Sequence, residues 1–263
     1  MNSIKIASWN VCGLRSLLKK NALDKLIETE NPDILCLNET MLQTKNVKEI
    51  DKLIPQYHYQ YYACSEARKG YSGVAILTKT EPISVTTQNI EKHDREGRTL
   101  VAEFPYFFLI STYVPNVGAE LKRMDYRIDE WDSDIRTTLN SYQERKPVIW
   151  CGDFNVVHED IDIYDIRGKE CYGCCTPQER GSFRKTLAET RMIDTFRFLH
   201  PGEKAWSYFS RRNVKAKEKG QGWRIDYVLA SRELESKLTD AYTRTDIEGS
   251  DHHPIVAVFN NLD

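Results

Sequence analysis

The sequence predicts an α/β fold in which two mixed β-sheets pack face to face and helices cover the outside. Short runs rich in Val, Ile and aromatic residues, each about as long as a buried strand, recur along the whole chain. Helical stretches separate some of these runs, but others follow one another without a helix, as in residues 73–115. This mixture favours packed sheets over a doubly wound parallel sheet, in which strands and helices alternate.

Seven runs are predicted to be strands, and most of them end in a cluster of polar residues. In chain order they are IKIASWN, DILCLNET, GVAILTK, FFLISTYVPN, PVIWCGDFN, RIDYVLAS and HPIVAVF. If these strands pack in layers, several of their polar ends converge on one edge of the sandwich.

Three stretches between the strands are predicted to be helices. The first covers residues 14–30 and ends before Pro32, because its apolar residues form one stripe: Leu14, Leu17, Leu18, Leu23, Leu26 and Ile27. Residues 124–139 and 182–192 have a similar pattern.

Length and composition indicate one soluble domain spanning residues 1–263. The hydrophobic fraction of 40% suffices for a sizeable core, and no apolar run reaches the roughly 18 residues that a membrane span needs. The N-terminal sequence lacks the features of a secretory signal, and seven cysteines are an odd number, so we expect a reducing compartment. An intracellular location follows: the nucleus in a eukaryote, the cytoplasm in a prokaryote.

The net charge of -2 does not indicate a nucleic-acid binder, so any such affinity must be local. Residues 211–224 are the best candidate segment, since six Lys and Arg residues there are opposed only by Glu218. A second loop carries Cys171, Cys174 and Cys175 in a C-x-x-C-C pattern. This pattern hints at zinc, but no second cysteine pair or histidine pair completes a four-ligand site.

The polar residues at the predicted strand ends suit a hard cation and a phosphate. They offer many oxygen ligands and amide donors, few thiols and one histidine. They are Asn10, Glu39, Tyr113, Asn116, Asp153, Asn155, Asp226, Asp251 and His252.

Eight strings along the chain resemble the exonuclease III family of abasic-site endonucleases, in matching order from end to end. They are SWNVCGLR, DILCLNET, GYSGVAIL, TYVPN, GDFNVVHEDID, TPQER, GWRIDYVLAS and GSDHHPI. The resemblance implies a four-layer, deoxyribonuclease I-like sandwich. It also implies a Mg²⁺-dependent monomer, with Mn²⁺ as a substitute, that cuts damaged duplex DNA on the 5′ side of abasic sites. Such an enzyme acts between other enzymes of base excision repair.

The resemblance also implies the metal ligands and the groups that act on the phosphate. Glu39 is the principal ligand, and Asp251 completes the site directly or through a water. Asp153 and Asn155, two residues apart on a strand end, are expected to point to the same side, where they activate and orient the attacking water. The alternative for this pair is an Asx turn after a strand.

His252 is expected to contact the scissile phosphate while Asp226 orients its imidazole and favours its charged form. Further phosphate contacts are assigned to Asn10, Tyr113 and Asn116. Tyr113 is also a candidate acid or anionic stabiliser, and its alternative is an aromatic residue packed at a sheet edge.

Substrate choice is assigned to a second set of residues. An apolar pocket for the baseless sugar is expected from Tyr208, Trp223 and Ile225, with core packing as the alternative. The DNA backbone is expected to contact five basic residues: Arg15, Lys20, Arg211, Arg212 and Arg224.

Two positions depart from the family pattern. Cys12 stands where relatives carry Asp or Asn, and a thiol is a poor magnesium ligand, so we expect weaker metal affinity and sensitivity to zinc. Ala119 stands where some relatives place an arginine wedge, which favours faster turnover or more exonuclease action. Two alternatives stay open: a phosphodiesterase of the same fold acting on RNA or a phospholipid, and a non-catalytic protein that binds damaged DNA.

Overall fold

A computed structural model describes residues 3–211 and 213–262. Two six-stranded sheets form its centre. The first sheet runs in the order β11 (Leu238–Thr243), β12 (Ile255–Asn260), β1 (Ser3–Asn10), β2 (Ile34–Asn38), β4 (Val74–Thr78) and β3 (Tyr59–Ala63). The second runs in the order β5 (Ser84–Thr86), β6 (Thr99–Glu103), β7 (Phe108–Tyr113), β8 (Val148–Asp153), β10 (Asp226–Ser231) and β9 (Met192–Asp194).

Both sheets are mixed, because each contains one parallel pair among antiparallel neighbours. The parallel pairs are β1 with β2 and β7 with β8. Parallel neighbours end at the same edge of a sheet. The residues that follow these four strands are therefore brought together in pairs.

Three apolar clusters account for the layers. Inward side chains of both sheets, such as Ile76 and Leu109, form the cluster between the sheets. Leu26 packs outside the first sheet and Leu139 outside the second, each within its own buried cluster. The structure thus has four layers, and the predicted fold class is confirmed.

Seven α-helices lie among the described residues, with short 3₁₀ turns between some of the elements. They are α1 (Leu14–Leu18), α2 (Ala22–Glu30), α3 (Val47–Asp51), α4 (Glu91–Asp94), α5 (Asp132–Gln143), α6 (Pro177–Thr190) and α7 (Thr195–Leu199). A π-helical turn, Tyr126–Trp131, leads into α5. The predicted helix over residues 124–139 corresponds to this turn together with α5.

The single helix predicted over residues 14–30 is wrong. The chain breaks between α1 and α2, where Asn21 adopts a left-handed conformation with φ of 54°. Asparagine tolerates this region better than most residues. Leu17 and Leu23 are buried on either side of the break, so the apolar stripe continues although the helix does not.

The start of α6 also differs from its prediction, at Pro177 instead of residue 182. Thr176 accepts a hydrogen bond from the backbone N–H of Glu179, and the Glu179 carboxylate in turn accepts one from the backbone N–H of Thr176. This capping box, with Pro177 in the first helical position, fixes the helix start.

All seven predicted strand runs form strands, but five further strands were not predicted. Two of them, β5 and β9, have only three residues, which is too short for a periodic pattern. β3 and β11 lie at sheet edges and have mixed polar sequences. β6 is largely buried, and the short helix α4 interrupts the region predicted to lack helices.

Close contact between β7 and β8 depends on Gly152. Its φ is 144°, and a Cβ atom added there would lie 1.8 Å from the carbonyl oxygen of Thr112. Only glycine fits this backbone approach. Gly152 thereby allows the register that places Tyr113 beside Asp153 at the ends of the two strands.

Across residues 3–211 and 213–262, the helices are too short or too polar to cross a lipid bilayer.

Candidate active site

A cavity of about 750 Å³ opens at the edge where the parallel strands end. Predicted site residues from both sheets and from distant loops line it: Glu39, Tyr113, Asn116, Asp153, Asn155, Tyr208, Trp223, Ile225, Asp251 and His252. The predicted convergence of strand ends on one edge therefore exists in the structure.

Asn10 connects the two sheets through two residues of the cavity wall, Glu39 and Asp153. It is buried, and its Nδ2 donates hydrogen bonds to Oε1 of Glu39 at 2.9 Å and to Oδ2 of Asp153 at 2.8 Å. Glu39 follows β2 in the first sheet, whereas Asp153 ends β8 in the second. One amide therefore fixes the spacing of two carboxylates that are far apart in the sequence.

Asp153 and Asn155 form an Asx turn and also face the cavity. Oδ1 of Asp153 accepts a hydrogen bond from the backbone N–H of Asn155 at 2.9 Å. Asn155 has left-handed φ of 47°, so strand alternation is not what orients its side chain. Its Oδ1 accepts a hydrogen bond from Nδ2 of Asn116 at 3.0 Å. The amide donor of Asn116 that was assigned to phosphate is thus bound to Asn155.

His252 and Asp226 form a buried pair beside Asp153. Nδ1 of His252 lies 2.8 Å from Oδ2 of Asp226, and its Nε2 lies 3.8 Å from Oδ2 of Asp153. Nε1 of Trp9 donates a hydrogen bond to the His252 carbonyl, which fixes the backbone. The imidazole is therefore oriented with Nε2 toward the carboxylate of Asp153.

The acidic surroundings shift the pKa values of both partners. Burial alone would lower the pKa of His252, but Asp226 and then Asp153 raise it to about 10. Burial, followed by repulsion from Asp226 and Glu39, raises the pKa of Asp153 to about 7. The cluster therefore favours a charged imidazole and a carboxyl group that exchanges its proton near neutral pH.

Tyr113 lies against a buried arginine that the sequence analysis did not identify. The Arg98 guanidinium is 4.8 Å from the centre of the Tyr113 ring, and its Nη1 donates to the Tyr113 carbonyl at 3.0 Å. Burial and the carboxylates of Glu39 and Asp153 raise the pKa of Tyr113 well above its usual value. A raised pKa favours the neutral phenol, which can donate a hydrogen bond, over the phenolate.

Arg98 belongs to a network with Glu96, Arg123 and the hydroxyl of Tyr71. Tyr71 lies in GYSGVAIL, one of the eight strings that resemble the family, and this string is the only sequence feature that links the network to the active site. Arg98 and Arg123 lie outside these strings. Their positions could not be predicted, because folding alone brings them to their partners.

A divalent cation has suitable donors in this cavity. Among the described residues, Asp153, Asp226 and His252 form a buried group whose ligand atoms lie within 4.8 Å of one another, and Oδ1 of Asp226 has no hydrogen-bond partner. The predicted ligands Glu39 and Asp251 lie outside this group but on the same cavity wall. Carboxylate oxygens are the donors that hard cations prefer.

Cys12 lies beside Asp251 and is half-buried. Burial, together with the charges of Asp251 and Glu39, raises the pKa of the Cys12 thiol. A protonated thiol is a poor ligand. The carboxylates of Asp251 and Glu39 are therefore better donors than Cys12 for a cation on this side of the cavity.

The predicted sugar pocket is an aromatic corner of the cavity. The rings of Tyr208 and Trp223 are 5.9 Å apart in an edge-to-face arrangement, and Tyr208 is 4.8 Å from the imidazole of His252. Ile225 is buried next to them in an apolar cluster. These residues contribute to packing and also face the cavity, so the two interpretations of them are compatible.

The basic residues assigned to DNA have different surroundings. Arg15 and Lys20 are exposed, and Lys20 donates a hydrogen bond to the carbonyl of Gly249. Arg211 is exposed and lies 3.3 Å from Asp251. Arg212 lies outside the described residues. These placements leave Arg15, Lys20 and Arg211 accessible from solvent.

The assignment of Arg224 to the DNA backbone is wrong. Arg224 is only 2% exposed, and its guanidinium binds Oδ1 of Asp162 at 2.8 Å and both carboxylate oxygens of Asp194. A buried charge needs such partners because burial removes its hydration. Arg224 therefore holds together two loops and a strand behind the pocket.

The cysteine loop forms another part of the cavity wall. Cys171 is exposed, Cys174 and Cys175 are buried, and the sulfur of Cys174 lies 3.6 Å from Nδ2 of Asn116. Within the described residues, no three metal-ligating groups come together at this loop. Ala119 is exposed at the cavity mouth.

A model of the endonuclease/exonuclease/phosphatase family matches residues 7–252. The chain belongs to this family. It is 45% identical over 255 residues to the DNA repair nuclease APEX1 of Danio rerio, covering 96% of this chain and 81% of the relative. It is 37% identical over 260 residues to the exodeoxyribonuclease of Bacillus subtilis, covering 98% of this chain and all of the relative.

A solved structure supports the same relationship. The AP endonuclease of Leishmania major superposes with a TM-score of 0.87 at 30% identity, covering 98% of this chain and 87% of that one. The fold and the family inferred from the eight sequence strings are both confirmed.

Proposed function

We propose that this protein is a DNA repair hydrolase that cuts the phosphodiester on the 5′ side of an abasic site in duplex DNA, leaving a 3′-hydroxyl. Removal of 3′-blocking groups and 3′–5′ exonuclease action are proposed side activities. The observation that carries the proposal is one cavity in which carboxylates, amides and an imidazole adjoin an aromatic corner. The names of its relatives, nucleases of DNA repair, support it.

Mg²⁺ is the proposed cofactor, with Mn²⁺ as a substitute. Glu39 and Asp251 are proposed to hold it, since both are carboxylates on the cavity wall. When bound, the cation would act as a Lewis acid toward a phosphoryl oxygen.

The side chains of the protein have different roles in the reaction at the phosphate. Asp153 accepts a proton from the attacking water, and Asn155 and Asn10 keep its carboxylate in place through hydrogen bonds to its two oxygens. His252, charged and oriented by Asp226, directs Nε2 toward the developing negative charge. Tyr113 donates from its neutral phenol.

The aromatic corner selects the substrate. Tyr208, Trp223 and Ile225 offer an apolar surface next to His252, so an extruded sugar would lie within reach of the catalytic groups. A nucleotide without a base costs least to extrude and fills the least space. Selection of abasic sites follows from both effects.

We further propose that one monomeric domain, residues 1–263, carries out this reaction. Its substrate places it where the cell keeps DNA, after the enzyme that removes a damaged base and before those that fill the gap. RNA or phospholipid hydrolysis and non-catalytic binding are not favoured, because the matched relatives are DNA nucleases and the acidic cluster is intact.

The test is incision of a duplex that contains one tetrahydrofuran residue, with Mg²⁺ present. We expect one cut on the 5′ side of the lesion and a product that a DNA polymerase can extend. Release of phosphate from inositol phosphates is measured in parallel and should be negligible. Preferential hydrolysis of the inositol phosphates, or binding of the duplex without any incision, would contradict the proposal.

A further inference from the structure

Asp251 forms part of the wall between two cavities. On one side is the cavity that holds Glu39 and His252. On the other side is a smaller cavity of about 370 Å³, lined by Asp251 and Glu248 together with three cationic side chains: Lys20, Arg211 and Lys217. The predicted metal ligand is therefore in contact with a basic surface outside the catalytic cavity.

The three cations of the smaller cavity have different partners. Lys217 pairs with Glu248 at 2.6 Å, and Lys20 donates to the carbonyl of Gly249 at 2.9 Å. Nη2 of Arg211 lies 3.3 Å from Oδ1 of Asp251. Of the three, Arg211 is thus the one whose contact reaches the wall of the catalytic cavity.

The contact of Arg211 with Asp251 weakens the attraction of Asp251 for a metal cation. A carboxylate oxygen that binds a guanidinium has less negative potential to offer a second positive charge. Asp251 is 18% exposed and Arg211 is 55% exposed, so the arginine is free to leave whereas the carboxylate is held in the wall. Cys12, the neighbour of Asp251, adds no carboxylate that would compensate.

The smaller cavity offers the arginine another partner. A DNA backbone phosphate fits its basic lining, and a guanidinium binds phosphate oxygens through two parallel hydrogen bonds. Once Arg211 turns toward such a phosphate, Oδ1 of Asp251 loses its contact with a positive charge and keeps the neutral hydroxyl of Ser250 at 3.3 Å, so the carboxylate attracts a cation more strongly. Occupation of the smaller cavity and binding of the cation then favour each other.

We propose that Arg211 is a positioning residue that holds Asp251 in the DNA-free protein and releases it when a backbone phosphate enters the smaller cavity. The proposal rests on the proposed function, because it takes Asp251 as a metal ligand and DNA as the substrate. It assigns to this chain a coupling between DNA binding and cation binding.

The first test measures Mn²⁺ binding to the DNA-free protein by electron paramagnetic resonance. We expect Arg211→Gln to lower the Kd for Mn²⁺ about two- to fivefold, the range that exposed ion pairs support. The matched control is Lys217→Gln, which removes the same charge from the same cavity but contacts Glu248. Equal Kd values for wild type and Arg211→Gln, or an equal decrease in both variants, would overturn the proposal.

The second test measures the coupling itself. The Kd for a duplex with one tetrahydrofuran residue is compared in EDTA and in Ca²⁺, which substitutes for the catalytic cation. We expect Ca²⁺ to tighten DNA binding by wild type more than by Arg211→Gln. An identical effect of Ca²⁺ on the two proteins contradicts the release step.

A third variant separates this proposal from the proposed function. We expect Asp251→Asn to weaken Mn²⁺ binding. Unchanged Mn²⁺ binding would remove Asp251 as a ligand and overturn both the ligand assignment and the role of Arg211. If Asp251→Asn weakens binding while Arg211→Gln has no effect, only the role of Arg211 is overturned and the ligand assignment stands.

Discussion

Nδ1 of His252 lies 2.8 Å from a carboxylate oxygen of Asp226, and both side chains are more than 90% buried, with exposed fractions of 7% and 2%. The pair crosses from a loop of one sheet to the first residue of a strand in the other. Because Nδ1 is bound to Asp226, Nε2 is the nitrogen that faces the cavity. Asp226 therefore fixes the orientation of the imidazole and is also the largest of the charges that raise its pKa.

Asp226→Asn should separate these two effects. We expect kcat/KM for incision to fall by about 10²- to 10³-fold, which is typical when one preorganised charge contact is lost. In the metal-free protein the pKa of His252 should fall from about 10, because Asp226 is the largest of the charges that raise it. NMR titration of the imidazole measures this pKa directly.

The direction of the change in the pKa of His252 shows whether Asp226 stabilises the charge of the imidazole or only positions it. Wild type keeps the imidazole charged up to about pH 10, so the variant should lose that charge at a lower pH. A titration that coincides with wild type would show that Asp226 only positions the ring.

Asp153→Asn should strongly reduce incision without unfolding the protein. The substitution keeps the shape of the side chain and an oxygen for the backbone N–H of Asn155. It removes the group proposed to accept a proton, and it also removes the oxygen that accepts from Nδ2 of Asn10. We expect a loss of 10²- to 10⁴-fold in kcat, the range for general-base catalysis. Single-turnover incision measures the loss, and circular dichroism checks the fold. Unchanged cleavage would reopen the possibility of a non-catalytic binding protein.

Cys12→Asp should increase the affinity for Mg²⁺. The added carboxylate would lie beside Asp251, where the present thiol is a poor ligand. We expect half-saturation of incision at a lower Mg²⁺ concentration and weaker inhibition by Zn²⁺. A Mg²⁺ titration of both proteins tests this, with Cys12→Ser as a matched control that removes the thiol without adding charge. Coinciding half-saturation values for wild type and Cys12→Asp would rule the idea out.

Arg224→Met should destabilise the protein at neutral pH by about 3–5 kcal/mol, because Asp194 loses its cation and Asp162 keeps Arg197 as its remaining partner. Urea unfolding measures the change. The exposed Arg184→Met is the control and should lie within about 0.5 kcal/mol of wild type. If the free energy of unfolding of Arg224→Met changes as little as that of Arg184→Met, the prediction is wrong, and water or a rearranged side chain replaces the guanidinium.

The pH dependence of this effect follows from Asp162. Burial would raise its pKa, but Arg224 lowers it below its ordinary 3.8 in the folded protein. Asp162 therefore contributes stability above about pH 3.8, and this contribution is lost as the pH falls through the lower folded pKa. In Arg224→Met the pKa of Asp162 should be higher than in wild type, because its largest lowering influence is lost. Acidification should therefore reduce the difference in the free energy of unfolding between the variant and wild type.

The strands could be predicted because short local sequence patterns indicate them. Runs such as those of β1 and β8 combine β-branched and aromatic residues with a polar end, and their ends carry Asn10 and Asp153. The order of the matching strings then identified the family. Strand ends in particular could be assigned to the site, because parallel strands bring their carboxyl ends together.

The remaining features depend on contacts that local sequence does not contain. Arg224 stands in a basic segment and is predicted to contact the DNA backbone. Its partners, however, are Asp162 in a 3₁₀ turn and Asp194 at the end of β9, both far away in the sequence. Arg98 gave no sign of its position behind Tyr113 for the same reason. The break at Asn21 was missed because the apolar stripe continues across it.

The pairing of β1 with β12 has a consequence for the newly made protein. β1 leaves the ribosome long before its antiparallel neighbour, β12, is synthesised. Asp251 and His252 directly precede that neighbour, so a nascent chain contains Asn10 and Glu39 without the groups that complete the cavity. The complete set of cavity residues is therefore assembled only after β12 has been synthesised and has paired with β1.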